Sequence, residues 1–172
     1  MQDENSTSLT EVFAKFACGF HLEDAPEIIV SYARLLLLDL LGCALGGLGT
    51  PEQNAALAAC QSLDGGAGKV AMWGIGLKGT PRNVAMFNGI MSHVLELDDF
   101  LGIDHTGAVV LPALFAVAEH ENDFDEVRFL EAMILGYEIG RRMLDAGGGY
   151  SKHNSTGWHT TGTLGAYAAA VA

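Results

Sequence analysis

Residues 28–45 read Ile28-Ile29-Val30-Ser31-Tyr32-Ala33-Arg34-Leu35-Leu36-Leu37-Leu38-Asp39-Leu40-Leu41-Gly42-Cys43-Ala44-Leu45. Wound into a helix, this run carries apolar side chains around nearly its whole circumference, whereas a surface helix carries them on one side. It therefore predicts a central, buried helix with others packed around it. The fold class that follows is all-α, a helical bundle. The densest part, Leu35–Leu45, is too short to span a bilayer about 30 Å thick and carries Asp39, so it predicts a core helix and not a membrane span.

Helix signals extend to both sides of this run. Upstream, Ser8-Leu9-Thr10-Glu11 is a capping-box pattern followed by Val12, Phe13, Phe16 and Ala17 at helical spacing, with Gly19 as the stop. Asp24-Ala25-Pro26-Glu27 opens the central helix, and Gly46-Gly47 ends it. Downstream, Thr50-Pro51-Glu52-Gln53 starts a third helix to about Leu63, broken by the glycine-rich turn Asp64–Gly68. Lys69–Trp73 is a short strand or an extended connection. The glycines of Gly74–Gly79 lack the strand–GxGxxG–helix order of a nucleotide site and read as turn chemistry. Thr80-Pro81 caps a helix to roughly Leu95. A further helix follows Pro112, from Ala113 to His120, and Asp123–Glu126 caps a long one to about Ala146, on which Gly136 and Gly140 share a face open to close approach. Gly147–Gly149 and a polar loop, Tyr150–Gly157, lead to a last apolar helix from Thr160-Thr161 that stops at Ala172 in mid-pattern. Apolar surface and carbonyls left there call for a covering segment or a second chain. No repeat or linker divides the sequence, so residues 1–172 are expected to form one helical domain.

Apolar residues make up 49% of the 172 and aromatics only 8%, a composition of Ala, Leu, Val and Ile that suits packed helices. Nine Lys and Arg stand against 21 Asp and Glu, and the net charge of −12 argues against nucleic acid or an anionic membrane as partner. Cys18, Cys43 and Cys60 are odd in number and lack metal-ligand spacing, so they read as reduced core thiols. The N-terminus, acidic and polar, is the opposite of a signal peptide. Together these give the expectation of a cytoplasmic protein.

The chemistry concentrates in Asn88–Pro112, where four carboxylates (Glu96, Asp98, Asp99, Asp104) and two histidines (His93, His105) share a short apolar–polar–apolar passage. Burying such charges is costly without a use for them, and His with Asp or Glu can divide acid, base and hydrogen-bonding roles. A solvated loop between two helices is the plainer alternative. His105 shortly precedes the helix of Pro112 and His159 directly precedes the Thr160 helix. Free N–H groups and the positive dipole end make both places suited to a carboxylate ligand, although ordinary capping histidines also occur there. His93, Asp98, Asp99, His105 and His159 are metal-ligand types, but no HExxH or similar spacing joins them, and no metal is expected.

Five segments in order resemble the MmgE/PrpD family, which includes 2-methylcitrate dehydratase, cis-aconitate decarboxylase and iminodisuccinate epimerase. They are Leu38–Gly42, Ala85–Gly89, His93–Asp99, His105–Glu119 with Gly136–Arg141, and Gly157–Thr160. The resemblance implies a helical domain that, with a smaller α+β domain, encloses a cofactor-free site for di- and tricarboxylic acids, usually in a homodimer. It implies that the loop from Glu96 to His105, and His159, face the substrate: His105 and His159 as catalytic acid/base groups, Glu96, Asp98 and Asp99 as substrate-binding residues. The reaction it implies is proton abstraction next to a carboxylate, followed by elimination, decarboxylation or re-protonation.

The departures from the family pattern are specific. Glu96 stands where the family commonly has Asp, Phe100 where it has Thr, and Thr106 where it has Pro; the loop before His105 is about two residues short. The chain also lacks the later segment that supplies lysine and tyrosine site residues, and the smaller domain. The expected function is thus part of a lyase or isomerase completed by a missing C-terminal part or second chain in a homo- or hetero-oligomer. The alternative is a non-catalytic binding subunit that pairs with a complementary chain.

Overall fold

A computed structural model describes residues 8–64, 67–100 and 102–172. Most of the polar N-terminal stretch, Gly65-Gly66 of the glycine-rich turn, and Leu101 lie outside the described residues. The described chain is all-α apart from one small hairpin: α1 (Leu9–Gly19), α2 (Glu27–Gly46), α3 (Pro51–Asp64), β1 (Val70–Ala71), β2 (Lys78–Gly79), α4 (Pro81–His93), α5 (Thr106–Glu121), α6 (Glu126–Ala146), α7 (Gly149–Ser155) and α8 (Thr160–Val171). β1 and β2 pair antiparallel with Val70 opposite Gly79, and Gly74 and Gly76 take positive φ in the turn between them. Those glycines serve the reversal, as turn chemistry requires.

α5 is the helix at the centre. Its Leu111 and Val110 are fully buried, and with Ala108 and Leu114 it joins Leu40 of α2 and Phe129, Leu130 and Met133 of α6 in one core cluster. A second cluster places Phe87 and Met91 of α4 against Ala44, Ala56, Cys60 and the hairpin's Val70. A third joins Ile103, Val110, Leu144 and Ala168. Here the small residues matter. A Cβ on Gly136 or Gly140 would sit 3.0 Å from the Ala168 carbonyl or 3.1 Å from its Cβ, and one on Gly165 would sit 2.9 Å from Val109. α8 therefore docks on α5 and α6 through bare backbone.

Four sequence expectations are corrected. α2 is not central: only Ala33, Leu40 and Ala44 are buried, while Ile28, Tyr32, Leu35, Leu38 and Leu45 face outward. The described residues offer α2 neighbours on one side only. At twenty residues it is long and apolar enough to cross a membrane by length and composition, which the shorter Leu35–Leu45 run concealed; Asp39 and an Arg34–Glu126 ion pair at 2.8 Å lie along it. Second, α5 begins at Thr106, and Pro112 stands inside it. Proline there removes the N–H that would bond the Ala108 carbonyl, and Gly89 of α4 lies so close that a Cβ would come within 2.9 Å of that oxygen. Close packing of α4 holds the helix through its proline. Third, the polar loop Tyr150–Gly157 contains α7, entered through Gly148 and Gly149 at positive φ. Fourth, of the three thiols only Cys60 is in the core; Cys43 is half-buried and Cys18 exposed.

Candidate functional site

α4 ends at His93, and the chain turns at Glu96, whose φ of 51° lies in the left-handed region. The following loop returns to the start of α5 and carries Asp98 inward until its side chain has no exposed surface. There Asp98 lies between two imidazoles. Its Oδ1 is 3.0 Å from His93 Nδ1 and its Oδ2 3.2 Å from His105 Nδ1, with the two rings 4.3 Å apart between centroids. An ionised carboxylate only accepts, so the network assigns the proton of each ring to Nδ1 and leaves each Nε2 as an acceptor.

His105 is the N-cap residue of α5 and His159 that of α8, and the two helix starts are tied together. The His105 N–H donates to Thr161 Oγ1 at 3.1 Å. Between the two histidines stands Asp104, a residue without an assigned role in the sequence. Its Oδ1 is 3.7 Å from His105 Nε2, its Oδ2 is 3.7 Å from His159 Nε2, and Thr160 Oγ1 donates to Oδ2 at 3.4 Å. Asp104 is buried, its Oδ1 has no hydrogen-bond partner, and its φ of 101° is rare for any residue but glycine. Strain and an unpaired buried oxygen coincide at one residue between two acid/base groups. His159 differs from His105 in tautomer: its Nδ1 accepts from the Gly162 N–H at 3.4 Å, which puts its proton on Nε2. Its side chain is 61% exposed, whereas that of His105 is nearly enclosed.

The remaining expected site residues lie to either side of this chain. Asp99 turns away from the histidines, and its Oδ1 accepts from the Gly107 N–H at 3.0 Å and the Tyr137 hydroxyl at 3.3 Å. The carboxylate on the first turn of α5 is thus the protein's own. Burial pushes the Asp99 carboxyl up to about 6, opposed by the Gly107 N–H and assisted by the charge of Asp98. The same burial, with Asp99 beside it, pushes the Tyr137 phenol up. Glu96 is largely exposed at the rim, its Oε1 3.9 Å from His93 Nε2. Phe100, 64% exposed, stands edge-on to the His105 ring at 5.7 Å and to Tyr150 at 6.4 Å.

The carboxylate–imidazole chain is open at both ends. Beyond His93 and Thr161 is an apolar cleft of about 480 Å³ lined by Met86, Ile90, Val94 and Val109. Beyond Phe100 and Asp104 is a recess of about 220 Å³ that includes Arg141, Leu144 and Tyr150. A larger groove, about 610 Å³, runs between α1, α5 and α6 and contains none of these histidines. The sequence brought His105, His159, Glu96, Asp98 and Asp99 forward; it counted Asp104 and His93 in the cluster without a role of their own, and missed Tyr137. The signal for Asp104 was its place directly before His105, which a helix starting at Pro112 made look like free loop.

The family model described as the MmgE/PrpD N-terminal domain matches residues 11–172. A cis-aconitate decarboxylase-like protein, oryM, of Aspergillus oryzae is 32% identical over 157 residues, covering 87% of this chain and 32% of its own. Two cis-aconitate decarboxylases of Aspergillus terreus are each 31% identical over 177 aligned positions, covering 99% of this chain and 36% of theirs. The chain spans about a third of the length of the curated relatives it matches.

Proposed function

The chain belongs to the MmgE/PrpD family, and on that premise we propose that it is the histidine-bearing helical part of a cofactor-free lyase or isomerase acting on a di- or tricarboxylic acid. The observation that carries this reading is the alternation His93–Asp98–His105–Asp104–His159, with opposite tautomers on its two N-cap histidines. Asp98 fixes His105 with Nε2 as the acceptor, the form that takes a proton from the carbon next to a carboxylate. The imidazolium then formed faces Asp104 Oδ1. His159, with its proton on Nε2 and more than half exposed, is the group placed to give one back. Among the described residues every ion-pair partner of Asp98 and Asp104 is a histidine. A substrate with two or three carboxylates needs cations, and in this reading they come from the rest of the assembled enzyme, which also covers the open cleft and recess.

Decarboxylation of cis-aconitate is the reaction to assay first, given the relatives' names. In the assembled enzyme, His159→Ala and His105→Gln are each expected to lower turnover by about 10²-fold or more while the helical content stays unchanged. Unchanged turnover in His159→Ala sinks the proposal. Phe100 favours the second reading, a non-catalytic binding subunit, because its ring covers His105 where a hydroxyl is expected. Phe100→Thr separates the two: gained or undiminished turnover supports the enzyme, and absence of turnover in both forms supports the subunit.

A further inference from the structure

We propose that His93, Asp98 and His105 form a binding site for a divalent cation of the Zn²⁺ class, a state that competes with the His105 base of the lyase reading, since metal on Nδ1 puts the proton on Nε2. Two imidazoles and one carboxylate are donor types that suit such an ion. One ligand atom from each residue lies within 4.8 Å of the others. His93 Nδ1 and His105 Nδ1 flank the same carboxylate, at 3.0 Å from Asp98 Oδ1 and 3.2 Å from Oδ2, so an ion replacing the two ring protons would sit between the rings and that carboxylate.

The surroundings of the three residues are those of a metal site. A histidine bound to metal through one nitrogen donates the N–H of the other to a carboxylate, which orients the ring and raises its basicity. Here a carboxylate stands on the far side of each ring, near but not bonded to it: Asp104 Oδ1 is 3.7 Å from His105 Nε2, and Glu96 Oε1 is 3.9 Å from His93 Nε2. Asp104 Oδ1 is buried, has no hydrogen-bond partner, and faces His105 from outside the set. Both outer carboxylates belong to non-glycine residues at positive φ, 101° and 51°. Strain at two separate loop positions has the same outcome, a carboxylate facing the far nitrogen of a ligand histidine. His93 also lines the cleft of about 480 Å³, which gives an ion its entry and room for water at the remaining coordination positions.

Metal binding has a signature that hydrogen bonding lacks. Without metal, both rings carry their proton on Nδ1, facing Asp98. With metal on Nδ1 the proton must move to Nε2, facing Glu96 and Asp104. The test titrates the full chain with Zn²⁺ by calorimetry and follows ¹⁵N-labelled histidine by NMR. Expected are one equivalent bound and a tautomer change at His93 and His105 but not at His159. Asp98→Asn and His105→Ala should weaken binding at least about tenfold, and Asp104→Asn, tolerated at positive φ, by about tenfold as an outer partner. His120→Ala, at the far end of α5, should leave it unchanged. No binding by the native chain, no tautomer change, or full affinity in a His93→Ala/His105→Ala variant overturns the proposal. Where Asp98→Asn fails to fold by circular dichroism, the native-chain spectra decide alone. No turnover is measured, so the lyase reading can fail without affecting this result.

Discussion

α2 and α5 have nearly the same apolar character, and the sequence reads α2 as the fully buried one. Eight of the sixteen residues of α5 are buried, against three of the twenty of α2. Hydrophobicity around a whole helix records every surface that ever covers it, and a sequence does not say which surfaces its own residues provide. α5 is enclosed by α2, α4, α6 and α8, so its apolar side chains contribute stability here. The outward side chains of α2 contribute little. The largest test of this contrast is Leu111→Ala, which leaves a cavity at a fully buried site and should cost about 3–4 kcal/mol in denaturant unfolding. Leu38→Ala, at a side chain 68% exposed, should cost less than about 0.5 kcal/mol. Equal losses would mean that α2 is covered in solution.

The start of α5 is where its burial and the site chemistry meet. Gly107 leaves room there for Asp99 and Tyr137: an added Cβ would overlap Asp99 Oδ1 and stand 2.7 Å from the Tyr137 hydroxyl and 3.2 Å from Leu40. Gly107→Ala should therefore cost about 2 kcal/mol by overpacking, in spite of the better helix propensity of alanine. Its counterpart on α2, Gly42→Ala, has nothing within 4 Å and should be neutral or slightly stabilising. Thermal unfolding of the pair measures the difference directly.

Asp99 adds a pH dependence to the start of α5. The native carboxyl titrates at about 6, against about 3.9 when unfolded. Between these values the native state holds the proton and the unfolded chain does not, so this group's contribution to stability falls as pH rises from about 4 to about 6. Asn keeps an oxygen for the Gly107 N–H and the Tyr137 hydroxyl but removes the charge. Asp99→Asn should match the native chain near pH 4 and exceed it by about 2 kcal/mol above pH 6. A constant difference across that range would show that desolvation of the carboxylate is not what burial of Asp99 costs.

Much of the helical frame was legible because its signals are local. Ser8 accepts the Glu11 N–H at the start of α1, Asp125 accepts the Arg128 N–H at the start of α6, and the small residues of α6 and α8 lie where the chains touch. What stayed hidden depends on neighbours. Pro112 looks like a helix start unless Gly89 is known to lie against the Ala108 carbonyl. Asp104 looks like solvated loop unless α8 is known to bring His159 and Thr160 beside it, 55 and 56 residues along the chain. His105 and His159 stood out because one shortly and the other directly precedes an expected helix start; that Asp98 joins His105 to His93 and not to solvent is a tertiary fact.

The smallest expected effect concerns the outer face of α2 itself. Ile28, Tyr32, Leu35, Leu38 and Leu45 together present more contiguous apolar surface than a solvated helix normally leaves bare. Replacing Leu35 and Leu38 by lysine removes no core contact, so the unfolding free energy should change by no more than about 0.5 kcal/mol. The colloidal consequence is separate from the thermodynamic one: two cations on an otherwise apolar strip should suppress self-association, read by light scattering across a concentration series. If the double variant is instead unfolded or strongly destabilised, α2 is covered in the native protein, and the contrast with α5 reduces to a difference in which molecule supplies the cover.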